Sequence, residues 1–233
     1  MCARMFAVLA ALAVSLCAAS AEVSQKPAAA GEVARLSVAD AEKAVRAHIF
    51  AQKPAMNPAA QFPLKEITPD EVFKRLNCQV FQVTDGVAQC ASYLIRRGKV
   101  YPLGQSFGGS GVMSMCVADL DKDSKPELIY SFSFGSGIHR SHVALCILQP
   151  DGIEEAQVPF AYRDGDIFVK KTDDCNVSVE VGAFSQEFGK WTPKATLGKL
   201  ELTTKDGKPV LDVKFAEDLP DAVRKAIWRA QAP

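Results

Sequence analysis

Residues 117–128 read Val-Ala-Asp-Leu-Asp-Lys-Asp-Ser-Lys-Pro-Glu-Leu, and they hold the chain's best candidate for chemistry. Asp119, Asp121 and Asp123 alternate, and Glu127 follows within the same nine positions. A hard cation such as Ca²⁺ takes six to eight oxygen ligands, with enough negative charge among them to offset its dehydration. Carboxylates at alternate places of a tight turn can all point inward. The three aspartates fill the first, third and fifth places, the Lys125 carbonyl suits the seventh, and Glu127 stands at the ninth. The twelfth place is Tyr130, where an EF-hand needs a bidentate glutamate, and neither flank has a helical pattern, so the EF-hand is excluded. The competing reading is a solvated hairpin turn, since Asp, Lys, Ser and Pro are ordinary turn residues. Against it, four carboxylates this close repel one another without a cation, and Lys122 and Lys125 relieve that only in part.

The spacing, with its apolar-Asp-Leu entry and Lys-Pro-Glu-Leu exit, resembles the metal loop of FG-GAP repeats, which form the blades of integrin-type β-propellers. The resemblance covers residues 117–130 and implies a Ca²⁺ role for this turn, not an overall fold. The loop occurs once, whereas a complete propeller needs at least about four blades. Where that family has glycine at the sixth place this chain has Ser124; a non-glycine residue at positive φ costs roughly 1 kcal/mol.

Two other constellations could do chemistry. Gly104-Gln105-Ser106-Phe107-Gly108 matches the G-x-S-x-G elbow by letter. That elbow needs a strand before it and a helix after it, and Gly108–Gly111 is a poor helix start. Residues 138–142, Ile-His-Arg-Ser-His, offer His139, Arg140 and His142 for an anionic ligand or for acid–base work. In an extended segment histidines three apart point to opposite faces. His48 falls on a helical face and reads as structural. Asp164, Asp166, Asp173 and Asp174 read as surface acids near turns.

The elements that must position these groups are mostly strands. Ser37 caps a helix with Val38, Ala41, Ala44, Val45 and Ile49 on one face. Thr68, with Pro69 and Glu71, predicts the cap of a second helix carrying Val72, Phe73 and Leu76. Short strands are expected at 80–83, 88–96 and 99–103, around Asp85-Gly86 and Arg97-Gly98 turns. Others follow up to Ala118 and at 128–134, 142–148, 167–170, 177–184, 196–203 and 210–215, with a closing helix over about 220–230. The class is thus α+β, a predominantly antiparallel meander with N-terminal helices and a C-terminal helix.

Pairing Ala118 with Leu128 and Phe134 with His142 would put Cys116 and Cys146 on either side of Tyr130, two strands apart. That is about 9–10 Å, beyond disulfide reach. Both are then buried thiols, and Cys78 with Cys90 is the better pair. Apolar residues on both faces of these strands require cover on each side. The metal turn and the histidine loop fall at opposite ends of the 128–134 strand, about 20 Å apart.

Residues 1–21 have the form of a secretory signal: Arg4, an apolar run, then Ala19-Ser20-Ala21. A leader over 22–35 and one globular domain over 36–233 would follow, exported to a periplasmic or extracellular space. No later run is apolar enough to span a membrane. The 27 basic and 27 acidic residues balance, which argues against nucleic acid or an anionic membrane as partner. The expected function is a non-enzymatic binding or structural domain with one Ca²⁺-stabilised hairpin. A secreted hydrolase using Ser106 or the 139–142 loop is the first alternative. A partner-binding or inhibitory protein, recognising protein or glycan, is the second.

Overall fold

The computed structural model describes residues 34–52, 63–84, 91–105, 108–135, 139–185 and 187–229. The signal segment, most of the leader, Ser106 and Cys90 lie outside them.

Helix α1 (Val38–Gln52) starts where the Ser37 hydroxyl accepts the Asp40 N–H at 3.2 Å, and it buries Ala41, Val45 and Ile49, four residues apart. Strand β1 (Leu64–Glu66) leads to α2 (Asp70–Leu76), which ends on Asn77 in the left-handed conformation. Thr68 does not cap α2. Its hydroxyl accepts the Val80 N–H at 2.7 Å, and Pro69 takes the cap position with no side-chain bond. Strands β2 (Gln79–Val83), β3 (Ser92–Arg96) and β4 (Lys99–Leu103) complete a first antiparallel sheet, ordered β1-β2-β3-β4. Arg97 and Gly98, both at positive φ, make the tight β3–β4 turn.

The central sheet contains β5 (Gly111–Ala118), β6 (Glu127–Phe134), β7 (Arg140–Leu148), β8 (Ile153–Gln157), β9 (Ala161–Tyr162) and a late strand, Ile227–Trp228. A third sheet is the meander β10 (Asp166–Asp173), β11 (Asn176–Phe184), β12 (Trp191–Lys205) and β13 (Lys208–Phe215). Helix α3 (Asp221–Ala226) is shorter than the expected 220–230 helix. Ile227 and Trp228 instead form β14, paired with Tyr162 and Ala161. The central order is β14-β9-β7-β6-β5, with β8 also paired to β7, and every pairing is antiparallel.

Every residue of β5 and β6 is buried, and three apolar clusters explain why. One joins Cys116, Ile129 and Leu145 of the central sheet to Val169, Val179 and Leu197 of the third. A second joins Val117, Leu128, Tyr130 and Phe132 to Val72 and Leu76 of α2 and to Val80 and Leu94 of the first sheet. The far side of the first sheet, with Phe81 and Tyr93, packs on α1. The expected cover on both faces is present, and it is largely more sheet.

The register differs from expectation. Ala118 pairs with Glu127, not Leu128, and Cys116 with Ile129, not Tyr130. A bulge at Met113 accompanies the change. A one-residue slip turns the β5 side chains from Ser114 onward over, so Cys116 lies opposite in face to Tyr130, while Val117 and Met115 join Tyr130. In the second hairpin Phe132, not Phe134, pairs with His142; that two-residue slip keeps the faces. Cys116 and Cys146 are buried free thiols, now because they sit on different faces, and Cys78 is also a buried free thiol, so it does not form the expected pair.

Candidate metal centre

The β5–β6 turn gathers its acids. Asp119, Asp121, Asp123 and Glu127 each offer a carboxylate oxygen within 4.8 Å of the others. The backbone explains the arrangement. Asp119 Oδ2 accepts the Ser124 N–H at 3.0 Å, Asp121 Oδ1 the Asp123 N–H at 3.1 Å, and Asp123 Oδ1 the Lys125 N–H at 2.7 Å. Each aspartate thus spends one oxygen folding the turn around a common centre. Lys122 and Ser124 take positive φ, +61° and +67°, so the bend expected at the sixth place is there without a glycine.

The remaining oxygens carry the electrostatics. Asp119 Oδ1 is buried with no hydrogen-bond partner, an uncompensated acceptor that costs about 1–3 kcal/mol if left so. Glu127 is 3% exposed. Burial, with the Asp121, Asp119 and Asp123 charges adding, pushes its carboxyl up to about 7, although its Oε2 accepts the Leu120 N–H at 2.9 Å. Among the described residues, Asp123 is the one acid of the four with a cation at hand: the Lys125 ammonium lies 2.9 Å from its Oδ2 and holds its carboxyl below the usual range. Lys125 therefore meets the turn through its N–H and ammonium. These carboxylates could hold a metal ion, and such a cation would satisfy Asp119 Oδ1 and favour ionised Glu127.

The turn is anchored from outside by residues far away in sequence. The Asp119 N–H donates to the Asp174 carbonyl at 2.8 Å, tying the turn to the β10–β11 turn. Arg75 of α2 reaches the Val117 carbonyl at 3.5 Å and Asp174 Oδ1 at 3.3 Å. Lys171 bridges Glu71 at 2.6 Å and Asp174 at 2.7 Å. Apart from Lys171–Asp174, these contacts span 42 to 100 residues of chain, and no local pattern pointed to them.

The histidine loop does not converge. Phe134 pairs with Arg140 and Ala118 with Glu127, so this loop and the turn stand at opposite ends of β6. His139 Nε2 lies 2.7 Å from Asp166, which raises the pKa of the imidazole. The Arg140 guanidinium stacks 4.7 Å from the Trp228 ring, whose other contact is Arg163 at 4.6 Å. His142 stacks on Phe132 and Phe134 at 5.5 and 5.2 Å, with both ring nitrogens buried and unpartnered. Burial, with the Arg140 charge adding, pulls its pKa down to about 4. The three residues make three separate contacts.

No protein family, curated protein or solved structure matches the chain. Among the described residues no helix is long and apolar enough to cross a membrane.

Proposed function

We propose that the Asp119–Glu127 turn binds one Ca²⁺ and that the chain is an exported, non-enzymatic binding or structural domain held together at this turn. The observation that carries the reading is the convergence of four carboxylates around Asp119 Oδ1, an acceptor without a donor. Ca²⁺ suits an all-oxygen, carboxylate-rich set better than Zn²⁺, which favours nitrogen and sulfur. Asp119, Asp121, Asp123 and Glu127 would supply side-chain ligands and Lys125 its carbonyl, as in the FG-GAP loops that residues 117–130 resemble. Because Asp119 is bonded to the β10–β11 turn, and Arg75 links that turn to α2, an ion here would brace three layers.

Differential scanning calorimetry tests this. Millimolar Ca²⁺ should raise the Tm and EDTA should lower it; binding only the folded state stabilises by about 2.7 kcal/mol at a hundredfold excess over Kd. Glu127→Gln separates the ion from the fold. It keeps an acceptor for Leu120 and removes a carboxylate that burial disfavours, so the metal-free Tm should rise while the Ca²⁺ response shrinks. A Tm unmoved by either Ca²⁺ or EDTA would refute the proposal.

A further inference from the structure

The outer edge of β5 is the free edge of the central sheet, and it is covered almost throughout. The Val112 N–H donates to Ser92 Oγ at 3.2 Å, and the Met113 carbonyl accepts the Gly189 N–H at 3.0 Å. Further on, the Val117 carbonyl faces Arg75 and the Asp119 N–H donates to Asp174. Past the bulge, successive residues alternate between pairing inward and pointing outward. With Val117 and Asp119 outward, Met115 is outward too. Its N–H and C=O, with the Val117 N–H beside them, bond to no turn, loop or side chain among the described residues, and β5 has no ladder partner on this side.

That gap opens into a cavity of about 600 Å³, within the range of ligand pockets. Ile67, Phe188 and Trp191 give it an apolar lining, together with Met115 and Cys116. The charges at its rim are unequal. Glu66 is already paired with Arg35 at 2.8 Å and Glu187 with Lys190 at 2.9 Å. Lys65 makes no ion pair among the described residues, and Lys170 has only Glu180 at 3.6 Å. The rim therefore has cations to spare beside outward-facing peptide groups that belong to no ladder.

We propose that this cavity binds a short extended peptide segment bearing a carboxylate. Its main chain pairs with Met115 as one added rung of β-ladder, an apolar side chain enters between Ile67 and Trp191, and the carboxylate meets Lys65 and Lys170. Strand addition supplies main-chain bonds for affinity and pockets for alternate side chains. The walls on either side limit the ladder to a residue or two, so the partner is a peptide end or a narrow loop rather than a whole strand. The site does not depend on the cation.

The probe is acetyl-Thr-Leu-Thr-Asp with a free C-terminal carboxylate, titrated into the full chain. Trp191 fluorescence and the exchange rate of the Met115 amide are the readouts. Saturable quenching with slowed Met115 exchange is expected. N-methylation of alternate amides of the peptide should weaken binding about tenfold or more, since it removes a ladder bond without touching the protein. Lys65→Glu with Lys170→Glu should weaken it about tenfold and flatten its salt dependence. Unchanged Met115 exchange at millimolar peptide, or equal binding of the N-methylated peptides, would overturn the proposal. So would Met115 protection that grows with protein concentration alone, because a second copy would then fill the edge.

Discussion

At the scale of single residues, the metal turn is built from side chains that fold it and side chains that remain charged within it. Ser124 shows the tension most simply. Its φ of +67° is natural for glycine and strained for serine. Ser124→Gly should stabilise the protein by roughly 1 kcal/mol, read as a higher denaturation midpoint, and should tighten Ca²⁺ binding by a similar step. His142 makes a second residue-level case. Its folded-state pKa of about 4 lies below the ordinary 6.5. Its neutral form is favoured by folding, so the associated stability is present above pH 6.5 and is lost as pH falls toward 4. In His142→Phe the ring stacking survives and the unpartnered nitrogens go. Its stability should fall less steeply between pH 6.5 and 4, as measured by urea midpoints across that window.

At the scale of elements, polar side chains decide how one sheet seats on another. The free edge of β10 sits on the serine face of the central sheet: the Ile167 N–H donates to Ser141 Oγ and the Val169 N–H to Ser114 Oγ, both at 2.9 Å. Ser114 and Ser131 share a further hydrogen bond at 2.7 Å, and all three serines are buried. A strand edge would otherwise carry buried, unpaired N–H groups. Ser114→Ala should cost about 1–3 kcal/mol, because it leaves the Val169 N–H unsatisfied; Ser114→Thr should recover part of that loss. Thermal melts of the two variants would show the order. The Tyr-Ser-Phe-Ser-Phe run was readable as one apolar face at Tyr130, Phe132 and Phe134. That Ser141 and Ser114, on the strands either side of it, serve another sheet was not, since their partners lie 26 and 55 residues away.

At the scale of the whole molecule, three antiparallel sheets stack so that the middle one is buried on both sides; the need for two covers was legible, the sheets that supply them were not. Turn signals helped to bound the strands, and Arg97-Gly98 takes the positive φ of a tight turn. Apolar residues on both faces of β5 and β6 demanded two covers. What failed was register, since a bulge at Met113 leaves no mark in the sequence yet reverses the faces of β5 beyond it. The acids of the turn were legible because their ligand geometry is local. The bracing by Arg75, Lys171 and Asp174 was not, since it arises only when three layers meet. Nor were the partners of His139, Arg140 and His142 legible, because they are aromatic and acidic side chains on other strands.

The central claim is that these acids enclose a cation, and a crystal structure grown in calcium chloride tests it most directly. One ion should lie inside the turn, about 2.3–2.6 Å from oxygens of Asp119, Asp121, Asp123 and Glu127, with the Lys125 ammonium moved off Asp123. Carboxylates turned out into water, with no ion between them, would contradict it.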